Sequence, residues 1–275
     1  MSIWEAIVLG IVEGLTEFLP VSSTGHLTIT SKILGQPIDD PSITAFTAVI
    51  QAGAIAAVIL FFWTDIKRIA IAWVRGLAKP EHRGEFDHRM GWYVIVGSLP
   101  ICIVGYLFRD FISGDLRSMW WVAGSLIAWS FVMVAAERLG SKKRPLEKIT
   151  FFDSLMMGLL QCLALIPGVS RSGATISTGL FCGLDRVAST RMAFLLGIPA
   201  LVGAAIFELK HALEGEVGLV PVLVGTAVSF VVAYASVAWL LKFVQKHSIE
   251  VFAFYRICLG LVILILLATS TITAT

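Results

Sequence analysis

The sequence predicts an all-α polytopic membrane protein built from two inverted-topology repeats, with six transmembrane helices and two re-entrant helical hairpins. Three observations predict it. Of 275 residues, 57% are hydrophobic and only 15% charged, a balance outside the range of soluble globular domains. Six apolar stretches, about 45–63, 91–108, 119–136, 192–207, 217–241 and 251–269, are long enough, or nearly so, to cross a hydrocarbon layer as helices. The third observation is an internal repeat. No soluble domain of any size fits between these segments.

The net charge of +2 says less than where the charges lie. Basic residues near span ends set orientation. Loop 64–89 holds Lys67, Arg68, Arg75, Lys79, Arg83 and Arg89, and loop 137–150 holds Arg138, Lys142, Lys143, Arg144 and Lys148. Both read as cytoplasmic, with 242–250. Loop 109–118 balances Arg109 and Arg117 with Asp110 and Asp115, and loop 208–218 sets Lys210 against Glu208, Glu214 and Glu216. These read as external, which puts both chain ends outside. The start, Met-Ser-Ile-Trp-Glu, lacks a basic n-region and is treated as part of the mature protein.

The repeat appears when the second half is slid over the first. Residues Gly10 to Gly25 lie over Gly158 to Gly173 without a gap, and Val94-Ile-Val-Gly-Ser98 meets Val222-Leu-Val-Gly-Thr226. One membrane domain, 1–275, therefore divides into repeat one, 1–140, and repeat two, 151–275. Each has a hairpin, at about 5–30 and 151–180, followed by three spans. An odd number of spans inverts one half relative to the other. Such repeats place a substrate site near the bilayer midplane, where their broken helices meet.

Both breaks are polar. In the first, Glu13 and Glu17 are one helical turn apart on the same face, between Ile11-Val12 and Phe18-Leu19. Carboxylates in an apolar segment are costly unless paired, protonated or metal-bound. Pro20 then stops the helix, and Ser22, Ser23, Thr24, Gly25 and His26 follow. Such a loop can cap the next helix, or aim backbone N–H groups at a phosphate. Ser23 or Thr24 could be a nucleophile, with His26 exchanging its proton.

The second break, Pro167 to Thr175, has the same form with different chemistry. Gln161 and Leu165 stand where the first half has Glu13 and Glu17, and Arg171 stands in place of Ser23. An arginine at membrane depth needs an anion; a phosphate suits its planar fork, and so does a structural ion pair with Glu13 or Glu17. Ser170, Ser172, Gly173 and Thr175 complete the loop. Joined, the breaks fit phosphoryl transfer on a lipid-borne phosphate. They fit equally an anion transporter or flippase that rocks its halves.

Several features are weaker. Gln51-Ala-Gly53, and Arg256 beside Tyr255, are polar intrusions that line a cavity, pack, or meet headgroups. Gly124 and Gly260 read as sites of close helix contact, and Trp63, Trp92, Trp120 and Trp121 as interfacial anchors. Ile66 to Leu77 is a basic amphipathic segment suited to the inner membrane surface. Cys102, Cys162, Cys182 and Cys258 lack metal-ligand spacing and are expected to be small buried hydrophobes, with no disulfide.

The segments Glu13-Gly-Leu-Thr-Glu17-Phe-Leu-Pro-Val-Ser-Ser-Thr-Gly-His26 and Pro167-Gly-Val-Ser-Arg-Ser-Gly-Ala-Thr175 closely resemble the two signatures of the bacterial undecaprenyl pyrophosphate phosphatase family, also known for bacitracin resistance. The resemblance runs the whole chain. It implies an integral membrane hydrolase that removes the terminal phosphate of a polyprenyl pyrophosphate, recycling the carrier for peptidoglycan synthesis. It implies a site open to the extracytoplasmic side of the bacterial cytoplasmic membrane. By the same resemblance, Glu13 and Glu17 hold a divalent cation, Mg²⁺ or Ca²⁺, or act as acid and base. Ser23 is the favoured nucleophile, with His26 its alternative or its base. Arg171 clamps phosphate, aided by Ser22, Thr24, Gly25, Ser170, Ser172, Gly173 and Thr175. Partners are the lipid substrate and membrane lipid; no nucleic acid is expected, and a homodimer is left open.

Overall fold

The structure, a computed structural model, describes residues 1–36, 41–108, 118–213 and 218–273, without the side chains of 41 and 207–213. Loop segments 109–117 and 214–217, whose charges read as external, lie outside the described residues, and so do the side chains of Glu208 and Lys210. Every regular element described is helical. In chain order these are α1 (Ile3–Thr16), α2 (Ser23–Ile33), α3 (Pro41–Phe61), α4 (Trp63–Ala78), α5 (Phe86–Leu107) and α6 (Met119–Leu139). The second half adds α7 (Phe151–Gln161), α8 (Arg171–Phe181), α9 (Arg186–Leu213), α10 (Leu219–Phe243) and α11 (Glu250–Ala268).

Six of these are long and apolar enough to cross a membrane: Ser42–Phe61, Phe86–Leu107, Met119–Leu139, Arg186–Ile206, Leu219–Phe243 and Glu250–Ala268. They coincide with the six stretches read from sequence. The second and fourth begin five or six residues earlier than hydropathy suggests, because their first turns are polar but still helical. The amphipathic segment is helical throughout as α4; Trp63, Trp120 and Trp121 are exposed at helix starts, and Trp92 is exposed about two turns into α5.

The short helices have local causes. Ser2 and Glu5 form a reciprocal capping box at the start of α1, as do Thr150 and Asp153 at α7. α1 stops at Thr16, the residue whose carbonyl the ring of Pro20 would strike in a continued helix. α7 gives way at Cys162–Leu165 to a tighter 3₁₀ turn before Pro167. At a rise of about 1.5 Å per residue, α1 is roughly 21 Å long, short of a hydrocarbon layer of about 30 Å.

The first helix of each hairpin packs mainly on the other half's middle span, α1 on α10 and α7 on α5, while α8 packs on α9 of its own half. Glycine permits the approach. A Cβ on Gly10 would lie 2.6 Å from the Gly225 carbonyl oxygen, and one on Gly158 would lie 2.2 Å from that of Gly97. Gly10 matches Gly158 in the repeat, and Gly97 matches Gly225, so one contact is used twice. Gly260 also touches a neighbouring helix, at Ala123 and Ile127, whereas Gly124 meets open space. The expected close contact at Gly124 is therefore absent.

The cysteines also depart from expectation. Cys102 and Cys258 are exposed, and Cys162 and Cys182 half-buried; all four are free thiols. An apolar span in lipid has two apolar surroundings, the protein core and the acyl chains, so an apolar position need not be a core position.

Ion pairs gather at one end of the spans: Arg191 on Asp65 at 2.7 Å, Arg68 on Asp87 at 3.0 Å, Arg138 on Glu250 at 2.8 Å, and Arg186 on Glu137. Arg144 meets Asp153 at 2.6 Å. Burial alone would raise the Asp153 carboxyl, but hydrogen bonds from Arg144 and Thr150 outweigh it and hold the group below the usual range. The folded form thus keeps Asp153 ionised more firmly than an unfolded chain does. That contribution to stability is complete above the unfolded value of about 3.9 and is lost as pH falls through the lower folded value. Melting of detergent-solubilised protein between pH 2 and 6 is expected to show less acid destabilisation in Asp153→Asn than in wild type; identical slopes would remove Asp153 from the acid response.

Candidate functional site: two broken helices meeting in one cavity

The two breaks come together inside the bundle. After α1 the chain turns back at Ser22, with φ +76°, and α2 starts at Ser23; after the second break Ser170, with φ +75°, precedes α8. Ser22 and Ser170 are equivalent residues of the repeat. A left-handed conformation costs a non-glycine residue about 1–2 kcal/mol, so bonds must hold it. The Ser170 hydroxyl accepts from the Gly173 N–H at 3.2 Å. The Ser22 carbonyl accepts from His26, through the backbone N–H at 3.3 Å and Nδ1 at 2.7 Å.

Among the described residues, three links join the breaks. Arg171 Nη2 lies 3.2 Å from Glu17 Oε1, the Ser172 hydroxyl donates to the Leu19 carbonyl at 3.0 Å, and Arg256 bridges both turns. Its Nη1 donates to the Pro20 carbonyl at 3.2 Å and its Nη2 to the Gly168 carbonyl at 2.9 Å. Pro20 and Gly168 are again equivalent residues. A third donor, Nε, reaches the Ser130 hydroxyl at 3.1 Å.

A cavity of about 710 Å³ opens where the breaks meet. Glu13, Glu17, Ser22, Ser23 and Thr24 line it from the first half, and Ser170 and Arg171 from the second. The Ser23 hydroxyl donates to Glu17 Oε2 at 2.7 Å, so Glu17 takes Ser23 on one oxygen and Arg171 on the other. Glu13 is buried, with neither carboxylate oxygen partnered. Both α2 and α8 begin at the cavity, presenting helix N-termini suited to an anion.

A family model matches residues 6–262, that of the bacitracin resistance protein BacA. The chain belongs to the BacA family. It is 53% identical to "Undecaprenyl-diphosphatase 3" of Frankia casuarinae, across 100% of both chains. It is 54% identical to "Undecaprenyl-diphosphatase 1" of Streptomyces coelicolor, over 99% of this chain and 98% of that one. The "Undecaprenyl-diphosphatase" of Corynebacterium diphtheriae is 52% identical, over 98% and 96%.

In this BacA-family chain the cavity does not take in every residue expected there. Gly25, His26, Ser172, Gly173 and Thr175 are not among its lining residues. The Thr175 hydroxyl donates to the Arg171 carbonyl at 2.8 Å, and Ser172 is spent on Leu19. These groups shape the turn instead of facing the cavity. His26 does not bond Ser23, as its spacing suggested. A carbonyl can only accept, so Nδ1 carries the proton toward Ser22, and Nε2 accepts from the Tyr255 hydroxyl at 2.6 Å. The helix turns the imidazole away from Ser23, and Glu17 is the carboxylate in contact with that hydroxyl.

Arg256 is the residue the sequence undervalued. Its signal was present: it is the single charge inside 251–269, and an ionisable residue at membrane depth is functional by default. Only the fold shows that its targets are backbone carbonyls of both breaks. Replacing it with Gln leaves carbonyls at Pro20 and Gly168 short of a donor, at a cost of about 1–3 kcal/mol each. Arg256→Gln is expected to lower the melting temperature and the rate of phosphate release together; an unchanged melting curve would show that the bridge does not hold the breaks.

Proposed function

We propose that this chain acts as its relatives are named to act, as an undecaprenyl-diphosphatase: it hydrolyses undecaprenyl pyrophosphate to undecaprenyl phosphate and inorganic phosphate. It thereby returns the lipid carrier to peptidoglycan synthesis and confers bacitracin resistance. One observation carries the proposal beyond family membership. A serine hydroxyl is already bonded to a carboxylate that a half-buried arginine holds from the other side, in a cavity within a membrane bundle.

In this proposal the pyrophosphate sits between the helix N-termini, with Arg171 against its terminal phosphate. Ser23 Oγ attacks the terminal phosphorus as its proton passes to Glu17, and the bond to the bridging oxygen breaks, releasing the lipid monophosphate. Water then cleaves the phosphoserine, giving inorganic phosphate and restoring the hydroxyl. A low-dielectric cavity strengthens every charge interaction in these steps.

The residues fit a hard divalent cation. Glu13 has two buried oxygens without a partner, and Glu17 follows one helical turn later. Among the described residues no cluster of three or more His, Cys, Asp or Glu exists to complete an all-protein cage. Two carboxylates, with water and substrate phosphate filling the other positions, are the ligand set Mg²⁺ accepts and Ca²⁺ tolerates. Such an ion, held by Glu13 and Glu17, would supply charge neutralisation of the pyrophosphate.

The proposed setting is the bacterial cytoplasmic membrane, with the cavity open to its outer side. The cavity draws on the first half of α3, the second half of α5 and residues 200–204 of α9. Those are the ends opposite the ion pairs and the basic loops, which the positive-inside rule puts in the cytoplasm. The two short hairpins would then enter from opposite faces.

Purified protein in detergent should release phosphate from undecaprenyl pyrophosphate. Arg171→Ala and Glu17→Ala are each expected to slow it by about 10²-fold or more; near-wild-type turnover in both would end this assignment. Ser23→Ala should prevent labelling of the protein by substrate carrying ³²P in its terminal phosphate, and a label recovered on His26 would overturn the serine step. Chelation should suppress release and added Mg²⁺ or Ca²⁺ restore it, whereas full activity in excess chelator would exclude the cation role.

A further inference from the structure

The cavity has two unlike walls. On one side Thr24, Thr28 and Ser31 of α2 and Thr44, Thr47 and Gln51 of α3 line it. The spacing in each helix keeps the three on one face. α2 runs outward from Ser23, beside the carboxylates, and α3 returns toward them, so the polar side chains form two ladders. The remaining lining comes from Ile101, Cys102 and Tyr106 of α5, Leu165 of the second break, and Ala200, Leu201 and Ala204 of α9. Apart from the Tyr106 hydroxyl, these side chains are apolar or weakly polar and offer little to an anion.

The ladder carries no charge. Among the described residues, the charged side chains lining the cavity are Glu13, Glu17 and Arg171, all at its inner end. Two rungs bond their own helix: Thr28 Oγ1 donates to the Thr24 carbonyl at 2.8 Å, and Thr47 Oγ1 to the Thr44 carbonyl at 2.9 Å. Those hydroxyls keep lone pairs for water, and can rotate to donate to a passing anion at little cost. At the inner end both Glu13 oxygens are buried without a partner, so the ladders lead to a group that calls for a ligand.

We propose that this hydroxyl wall is the route by which inorganic phosphate leaves and water enters, while the apolar wall carries the isoprenoid chain to lipid. This rests on the phosphatase function. A phosphate released beside Arg171 faces a dianion's two hazards: a lysine-lined path would trap it, and an apolar path would exclude it. Neutral donors bind it weakly and repeatedly, which favours passage over retention. Segregating the walls also keeps the exit clear of the bound lipid.

The test compares Thr28→Val/Thr47→Val, which removes two hydroxyls at nearly constant volume, with Thr28→Ser/Thr47→Ser, which keeps them. In the valine variant, turnover is expected to fall, and half-inhibition by added inorganic phosphate to shift to higher concentration, each by about three- to ten-fold. The ratio kcat/KM for undecaprenyl pyrophosphate and inhibition by undecaprenyl phosphate should stay at wild-type values, because phosphate exit follows the irreversible step, and the serine variant should match wild type throughout. Phosphate inhibition that is absent, or equal in all forms, would overturn the proposal. A raised KM with unchanged turnover would also overturn it, assigning the hydroxyls to the lipid. Should the valine pair not accumulate, Thr47→Val alone carries the same comparison. No phosphate release by the wild type would instead remove the phosphatase function on which the proposal stands.

Discussion

Arg256 sits fully buried within an apolar span, and it spends its guanidinium on backbone. Two carbonyls of irregular chain, at Pro20 and Gly168, would otherwise lie at membrane depth with no water to receive them. A non-helical turn is tolerated there only where protein satisfies it. One rigid, planar, multi-donor side chain does this for both turns, and so fixes their spacing to the length of a guanidinium. The position of Ser23 relative to Arg171 follows from that spacing. An uncharged donor on the same helix could satisfy one turn but not hold the pair together.

The seats of the hairpins impose the second constraint. Lipid tails are as apolar as the helices, so helix association in a membrane relies on close packing and not on hydrophobic burial. Gly10 against Gly225, and Gly158 against Gly97, let backbones approach to a distance that any Cβ would forbid. Because the first helix of each hairpin packs on the middle span of the other half, each break is seated in part by the opposite half. At the far end from the cavity, ion pairs fasten α4, α5, α6, α9 and α11 to one another.

Within this frame the repeat has diverged where chemistry is needed. Backbone features are shared by the two breaks: a serine with positive φ, a following helix, and a carbonyl held by Arg256. Side chains are not shared. Glu13, Glu17 and Ser23 face Gln161, Leu165 and Arg171 at the equivalent positions. The result is one site with acids on one side and a cation on the other, which a symmetric pair of breaks would not provide. Gln161 is buried with neither amide atom partnered, a polar group that the second half retains at the Glu13 position.

The sequence by itself determined the all-α membrane class, the six spans and the two polar breaks, because hydropathy, proline and the repeat are local or periodic signals that survive without coordinates. It named Glu13, Glu17, Ser23 and Arg171, since ionisable groups in apolar segments are rare enough to stand out. Tertiary structure decided which of these touch. Glu17, not His26, bonds Ser23, because helical rotation turns the imidazole toward Tyr255. It also decided that Ser172 and Thr175 build the turn, that Arg256 joins the breaks, and that hydroxyls on α2 and α3 share one wall. Those outcomes depend on contacts between residues far apart in the chain, and the direction of a side chain about its helix is fixed only when the helix is packed.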